Sequence, residues 1–298
     1  MASSMIPRVQ KLLEMIRFSH TVFALPFALL SAVLAWQKPG SFRWLDLLGI
    51  LLCMVFARST AMAFNRLADR DYDALNPRTA LRHLPTGQLT STTVWIFTVA
   101  CAAGFVASTL FFLTSGNAWP LYLSVPVLLF ICAYSYAKRF TFLCHVWLGA
   151  SLLLAPLAAW IAIRGLEELL TPAVLGLAVL FWVSGFDILY ACQDVEFDHK
   201  TKLSSIPARF GVPASLRVAL ICHVLMVGCL VSLFWLAWPE LKAIYLTGVL
   251  AVAALLAYEH WLVRPDDLSR VNQAFFNVNG VISVGLFLVV LLQVALRF

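Results

Sequence analysis

Charge is scarce in this chain. Of 298 residues only 12% are Asp, Glu, Lys or Arg, against 62% that are apolar, more apolar surface than one water-soluble core could hide. Familiar site signatures are missing as well. The 14 glycines form neither a Walker loop nor a dinucleotide fingerprint, which argues against ATP-driven or NAD-dependent chemistry. The six histidines give no HExxH pattern. Cys53, Cys101, Cys132, Cys144, Cys192, Cys222 and Cys229 contain no CxxC pair and fall in apolar stretches, so small buried hydrophobes are expected rather than disulfides or metal ligands. The alternation of about ten residues per strand that marks a membrane barrel is absent.

What is present is long apolar sequence, with a mean hydropathy of +0.89. A helix needs about 20 mostly apolar residues to cross the hydrocarbon region, and its backbone satisfies its own hydrogen bonds there. Apolar blocks occupy residues 19–37, 45–64, 91–114, 118–137, 142–163, 172–193, 213–236, 239–262 and 274–296, separated by polar or Pro/Gly-bearing breaks. The tightest breaks are SGNAWP at 115–120 and AWPE at 237–240. The reading is an all-α, polytopic membrane protein with nine transmembrane helices. The first block follows a basic N-terminal stretch but has Pro26 mid-segment and eight further spans behind it, so an uncleaved helix is expected rather than a secretory signal.

Orientation follows from the 21 Lys and Arg residues, because positive charge accumulates on cytoplasmic loops. With a cytoplasmic N-terminus, 15 of them fall inside: Arg8, Lys11, Arg17, Arg66, Arg70, Arg78, Arg82, Lys138, Arg139, Lys200, Lys202, Arg209, Arg217, Arg264 and Arg270. Only Lys38, Arg43, Arg164, Lys242 and Arg297 fall outside, and Arg58 lies within a span. The net charge of +6 therefore reads as a topology signal. No nucleic-acid motif or charged tail gives it another meaning, and no obligate protein partner is inferred.

Seven of the 15 acids sit in two short windows, NRLADRDYD (65–73) and DILYACQDVEFD (187–198), at the expected cytoplasmic ends of spans two and six. On a helix Asn65, Asp69 and Asp73 recur at i, i+4 and i+8 and share one stripe; Asp71 does not. Asp187, Asp194 and Asp198 make a second stripe with Tyr190 beside it, while Glu196 faces elsewhere. Like charges at this spacing repel, so a stripe gains nothing unless something positive lies against it. Mg²⁺ suits the arrangement, since it takes oxygen ligands and is held by one or two carboxylates plus a substrate's phosphate oxygens. The plainer reading is two solvated helix ends whose Asp residues pair with local Arg. Two such windows on one side, each followed by a basic loop, favour the metal site.

Those loops are NPRTALRHLPTGQLT, carrying Arg78 and Arg82, and HKTKLSSIPARFG, carrying Lys200, Lys202 and Arg209, suited to anions. In YSYAKR, Tyr134 and Lys138 are one α-helical turn apart, which would let a phenol and an ammonium reach one phosphate oxygen. Arg58 lies seven positions before Asn65, on the same stripe but deeper in its span, where a guanidinium requires a partner. An intramembrane acid and the carboxylate of a small acidic substrate suit it equally.

These residues resemble the UbiA superfamily of intramembrane prenyltransferases. NRLADRDYD with NPRTALRHLPTG is similar to the family's first aspartate-rich motif, NDxxDxxxD, and its trailing RTxxRxxPxG segment. DILYACQDVEFD is similar to the second motif, ending in DxxxD at Asp194 and Asp198, and Tyr134 with Lys138 resembles the family's YxxxK element. Arg58 matches an Arg often found seven residues ahead of the first motif's Asn in the hydroxybenzoate-type branch. The motif's second position is Arg66 here rather than Asp, which alters the ligand set around the metal. The RFSHTVFALPFALL opening resembles a hydroxybenzoate-transferase-like bacterial subgroup, some of whose members serve menaquinone synthesis with a naphthoate acceptor.

The resemblance covers nearly the whole chain. It implies one domain over 1–298, nine helices around a central cavity, and an active site at the cytoplasmic side of a bacterial inner membrane. It implies Mg²⁺ as cofactor, held by Asn65, Asp69, Asp73, Asp194 and Asp198. Polyprenyl diphosphate would be the donor, with Arg78, Arg82, Lys138 and Lys202 meeting its phosphates. The acceptor is expected to be 4-hydroxybenzoate, its carboxylate on Arg58, with Asp187 as proton acceptor or hydroxyl support and Tyr190 nearby. Aromatic rings, of which the chain has 22 Phe, 10 Trp and 7 Tyr, would shelter an allylic cation. The matched windows also hint at a pseudo-repeat of spans 1–4 and 5–8, an arrangement shared with secondary transporters. A transporter, however, is expected to place its charges near the midplane with access from both faces.

Overall fold

The computed structural model describes residues 2–16, 23–37, 42–268 and 270–296. Among these the regular secondary structure is helical, apart from one isolated bridge between Arg264 and Asp267. The helices are α1 (Ala2–Met15), α2 (Leu25–Ala35), α3 (Trp44–Ala68), α4 (Arg70–Leu75), α5 (Ser91–Thr109), α6 (Trp119–Ala133), α7 (Cys144–Arg164) and α8 (Leu170–Ala191). They continue with α9 (Val195–Thr201), α10 (Ile206–Phe210), α11 (Val212–Leu236), α12 (Ala243–Leu262), α13 (Val271–Gln273) and α14 (Asn279–Leu296). Short 3₁₀ segments extend α5 over Leu110–Ser115 and α6 over Tyr134–Arg139.

Eight helical stretches among the described residues are long and apolar enough to cross a membrane: Trp44–Ala68, Ser91–Ser115, Trp119–Arg139, Cys144–Arg164, Leu170–Thr201, Val212–Leu236, Ala243–Leu262 and Phe276–Leu296. They coincide with eight of the nine expected blocks. Both tight breaks are real: Gly116 takes a left-handed φ of 78° to end the third of these segments' predecessor before Trp119 restarts the helix, and α11 stops at Leu236 before α12 begins at Ala243. For the first block the described helix is α2, of 11 residues. Residues 19–22 of that block lie outside the described residues, as do Arg17, Lys38 and Arg297 of the orientation count.

The chain forms two compact units. The first comprises residues 1–21 and 48–136. Its small core joins Leu12, Met15 and Ile16 at the end of α1 to Ala63 of α3 and to Leu84, Leu89 and Val94. The second comprises residues 22–47 and 137–298, so the helix of the first expected span belongs with the later ones, a grouping different from spans 1–4 and 5–8. Trp182 on α8 is fully buried there, with its ring against Phe27 of α2 and edge-on to Phe186.

Helices α7 and α8 approach closely because small residues line their seam. A Cβ on Gly149 would collide with the Leu180 carbonyl and the Ser184 hydroxyl, and one on Gly176 would press on Leu153, as expected where packing rather than hydrophobicity joins membrane helices. Several polar groups at this depth are paired across helices. Trp182 Nε1 donates to Asn279 Oδ1 (2.6 Å), Asn279 Nδ2 donates to Glu259 Oε1 (2.9 Å), and Ser31 Oγ donates to the Pro156 carbonyl (2.7 Å).

Candidate active site

In the first unit α3 carries Arg58, partly buried, and Asn65 two turns later. The sequence pattern predicts one continuous helix through Asp73. The structure instead interrupts it at Asp69, whose φ of −95° and ψ of 6° lie in the sparsely populated bridge region, before the six-residue α4 begins. The stripe survives because its backbone spacing does: Asp69 N–H donates to the Asn65 carbonyl (2.9 Å) and Asp73 N–H to the Asp69 carbonyl (2.7 Å). Asn65 Nδ2 donates to Asp69 Oδ2 at 2.8 Å. Arg66 is buried, with Nε donating to the Met15 carbonyl and Nη1 to Asn65 Oδ1 of the stripe, both at 3.4 Å.

Asp73 is buried, and Arg82 Nη1 donates to its two oxygens at 2.7 and 2.8 Å. The loop that carries Arg82 is fixed by its own turn chemistry. Asn76, preceding Pro77, takes an extended conformation and ends α4; its Oδ1 accepts the Arg78 N–H (2.9 Å), while Thr79 Oγ1 donates to the Asp73 carbonyl (3.0 Å). Arg78 and the off-stripe Asp71 are exposed.

The second unit repeats this design. Helix α8 carries Asp187 and Tyr190, tightens to a 3₁₀ turn over Cys192–Asp194, and resumes as α9. Asp194 sits at the break with φ −102° and ψ 5°, nearly the angles of Asp69. Asp198, four residues on like Asp73, is buried and paired with a cation: Lys138 Nζ lies 3.4 Å from its Oδ2, and Ser205 Oγ donates to the same oxygen at 2.7 Å. Lys138 belongs to the 3₁₀ segment Tyr134–Arg139. That segment, which also carries Tyr134, turns with about three residues per turn. Lys202 is exposed at a left-handed φ of 57° that caps α9. Glu196 and Lys200 are exposed, and the Arg209 guanidinium stacks over Phe142, 4.2 Å from its centroid.

Two residues here escaped the sequence reading. Ser205 caps α10, its Oγ accepting the Ala208 N–H (3.2 Å) while donating to Asp198; a serine two residues before Pro207 was the available signal. His145 is completely buried, with Nδ1 2.7 Å from Asp187 Oδ2. No pattern could have announced it, since 42 residues separate the partners.

The donors at each break are hard oxygens, those of Asn65 and Asp69 in the first unit and of Asp194 in the second. Among the described residues no three His, Cys, Asp or Glu side chains converge as a ready-made metal cage. Oxygen donors of this kind suit Mg²⁺, which takes few protein carboxylates and completes its shell with water and phosphate oxygens, better than they suit Zn²⁺.

Membrane helices that carry two aspartate-bearing breaks, each backed by its own cation, define the class: the chain belongs to the UbiA prenyltransferase family, whose model matches residues 24–281. Among its relatives is a 4-hydroxybenzoate octaprenyltransferase of Tolumonas auensis, 33% identical over 248 residues, covering 83% of this chain and 84% of the relative. Another of the same name, from Marinobacter nauticus, is 32% identical over 246 residues, covering 80% and 79%. Among solved structures, the apo form of a UbiA homologue from Aeropyrum pernix matches with a TM-score of 0.82 and 30% identity, covering 94% of this chain and 98% of that one. A UbiA homologue from Archaeoglobus fulgidus, bound to DMAPP and Mg²⁺, shares the fold with a TM-score of 0.69 at 20% identity, covering 96% and 99%.

Proposed function

We propose that this chain transfers a polyprenyl group from a polyprenyl diphosphate to the ring carbon beside the hydroxyl of 4-hydroxybenzoate, in a Mg²⁺-dependent step of quinone synthesis. The observation that carries the reading is the repeated helix break at Asp69 and Asp194, in a chain about a third identical to relatives named for that reaction. Both aspartate sets are required for it. Asn65, Asp69 and Asp73 in one, and Asp194 and Asp198 in the other, hold the metal. When bound, Mg²⁺ supplies Lewis-acid neutralisation of the charge that grows on the departing pyrophosphate.

Arg82 and Lys138 neutralise Asp73 and Asp198, and a diphosphate competes for the same cations, joined by Arg78 and Lys202. The C–O bond of the donor breaks with its electron pair leaving on pyrophosphate. The ring carbon of the acceptor attacks the allylic cation, forming the new C–C bond, and the proton released as aromaticity returns passes to Asp187. Arg58 holds the acceptor's carboxylate, and Tyr190 lies one α-helical turn from Asp187. A tail as greasy as a polyprenyl chain requires access from the bilayer. We infer a bacterial inner membrane, nine helices across, with N-terminus and active site on the cytoplasmic side, a reading the cationic bias of the loops supports.

The test is direct. Purified protein with Mg²⁺, a polyprenyl diphosphate and 4-hydroxybenzoate is expected to release pyrophosphate and form prenylated hydroxybenzoate, and EDTA to stop both. Product formation with a dihydroxynaphthoate but not with 4-hydroxybenzoate would move the chain to menaquinone synthesis. Pyrophosphate release with neither would refute the assignment.

A further inference from the structure

We propose that His145 is the positioning residue for Asp187, fixing its carboxylate through the hydrogen bond between the imidazole Nδ1 and Asp187 Oδ2. The proposal rests on the reading above, in which Asp187 receives the proton from the aromatic acceptor. It concerns only the second unit, where every group involved lies.

The ring is held at both ends. The Ile206 N–H donates to Nε2 at 3.4 Å. At the other end Nδ1 donates to Asp187 Oδ2 at 2.7 Å, since a carboxylate only accepts. The two contacts together fix the plane of the ring and the donor that faces the carboxylate. His145 itself cannot swing away. It begins the second residue of α7 and is wholly inaccessible, the Ser184 hydroxyl contacts its carbonyl at 3.3 Å, and Gly149 admits α8 close beside it.

The other end of the clamp is shared with the metal-side acid. Ile206 is the first residue of α10, and the preceding Ser205 holds Asp198. The Ser204 N–H in turn donates to the carbonyl of Lys138 (2.7 Å), the residue paired with Asp198. One turn of chain, residues 204–206, therefore braces Asp198 through Ser205 and Asp187 through His145. Asp187 keeps some exposure, 18% of its side chain against none for His145. The carboxylate is the member of the pair that a substrate can reach, and the imidazole stands behind it. The arrangement is that of a carboxylate held by a histidine, in which the histidine works by orientation.

Three variants and two double variants decide the matter, assayed as full-length protein in lipid bilayers by prenylated product formed. His145→Phe keeps a ring of similar size without the donor. It is expected to lower kcat about 10- to 100-fold while leaving KM for the polyprenyl diphosphate unchanged, because only the acceptor's proton partner is misplaced. His145→Asn places an amide N–H where Nδ1–H was and carries no charge; it is expected to stay within about fivefold of wild type. Asp187→Ala is expected to be as slow as His145→Phe or slower, and adding His145→Asn or His145→Phe to it to cost nothing further, since the two act through one interaction. A purely structural histidine would instead lower stability and rate equally with Asp187 present or absent.

A folded His145→Phe protein with wild-type kcat overturns the proposal. So does a folded His145→Asn protein slowed as much as Asp187→Ala, which would show that a hydrogen-bond donor at that position does not suffice. Should His145→Phe not fold, the Asn variant in the presence and absence of Asp187→Ala decides alone. Full activity of Asp187→Ala would remove the role of Asp187 itself, an outcome distinct from an active Asp187 that is indifferent to His145.

Discussion

Removing one oxygen from Ser205 tests whether the second acidic segment is held in place by its own loop. Ser205 and Asp198 are 0% and 1% exposed, and their O–H···O⁻ contact of 2.7 Å is of the charge-assisted kind. Such a bond contributes about 1.5–3 kcal/mol, and loss of an N-cap costs about 1 kcal/mol. Both depend on the same oxygen, and Lys138 still faces Asp198, so the losses overlap and Ser205→Ala is expected to cost about 2 kcal/mol rather than their sum. Expressed in the position of Asp198, that is a roughly 30-fold fall in kcat/KM or in apparent Mg²⁺ affinity. Pyrophosphate release measured across a Mg²⁺ titration reads it, with Ser205→Thr, which keeps the hydroxyl, recovering most of the loss. An alanine variant that matches wild type at every Mg²⁺ concentration would refute the argument.

Other outcomes follow from single contacts. Arg82→Leu leaves the Asp73 carboxylate buried without its cation; because Arg82 is a quarter exposed, the cost is about 2–3 kcal/mol, below that of a fully buried pair, read as a lower unfolding temperature in detergent. Arg82→Lys recovers only part of it, since an ammonium does not reproduce the guanidinium's fit to two oxygens. Gly149→Val forces α7 from α8 at the Leu180 carbonyl and is expected to cost at least about 1–3 kcal/mol. It should also slow product formation, because the same seam sets His145 against Asp187. Trp182→Phe strands the Asn279 oxygen in a buried site, costing about 1–3 kcal/mol, and the KM of either substrate is expected to stay unchanged.

How far the sequence speaks depends on the range of the interaction. Apolar length located eight spans because a membrane helix satisfies its backbone within itself and needs no distant partner. The spacing of Asn65, Asp69 and Asp73 was legible for the same local reason, and so was the failure of Asp71 and Glu196 to join their stripes, since both are exposed. The breaks at Asp69 and Asp194 were not legible: no Pro or Gly marks them, and the acids that occupy them fit a helix pattern equally well. The ion pairs of Arg82 with Asp73 and of Lys138 with Asp198 were not legible, because which anion a charge meets in the absence of substrate depends on how a loop folds back. His145 was out of reach, because its partner lies on the next helix across a seam that only Gly149 and Gly176 keep narrow.

The most direct measurement compares pyrophosphate released from a polyprenyl diphosphate by wild type, Asp69→Ala and Asp194→Ala at saturating Mg²⁺. If the two interrupted helices supply the oxygens that hold the ion, each variant, though folded, loses activity by at least about a hundredfold. Undiminished release by either one would contradict the account.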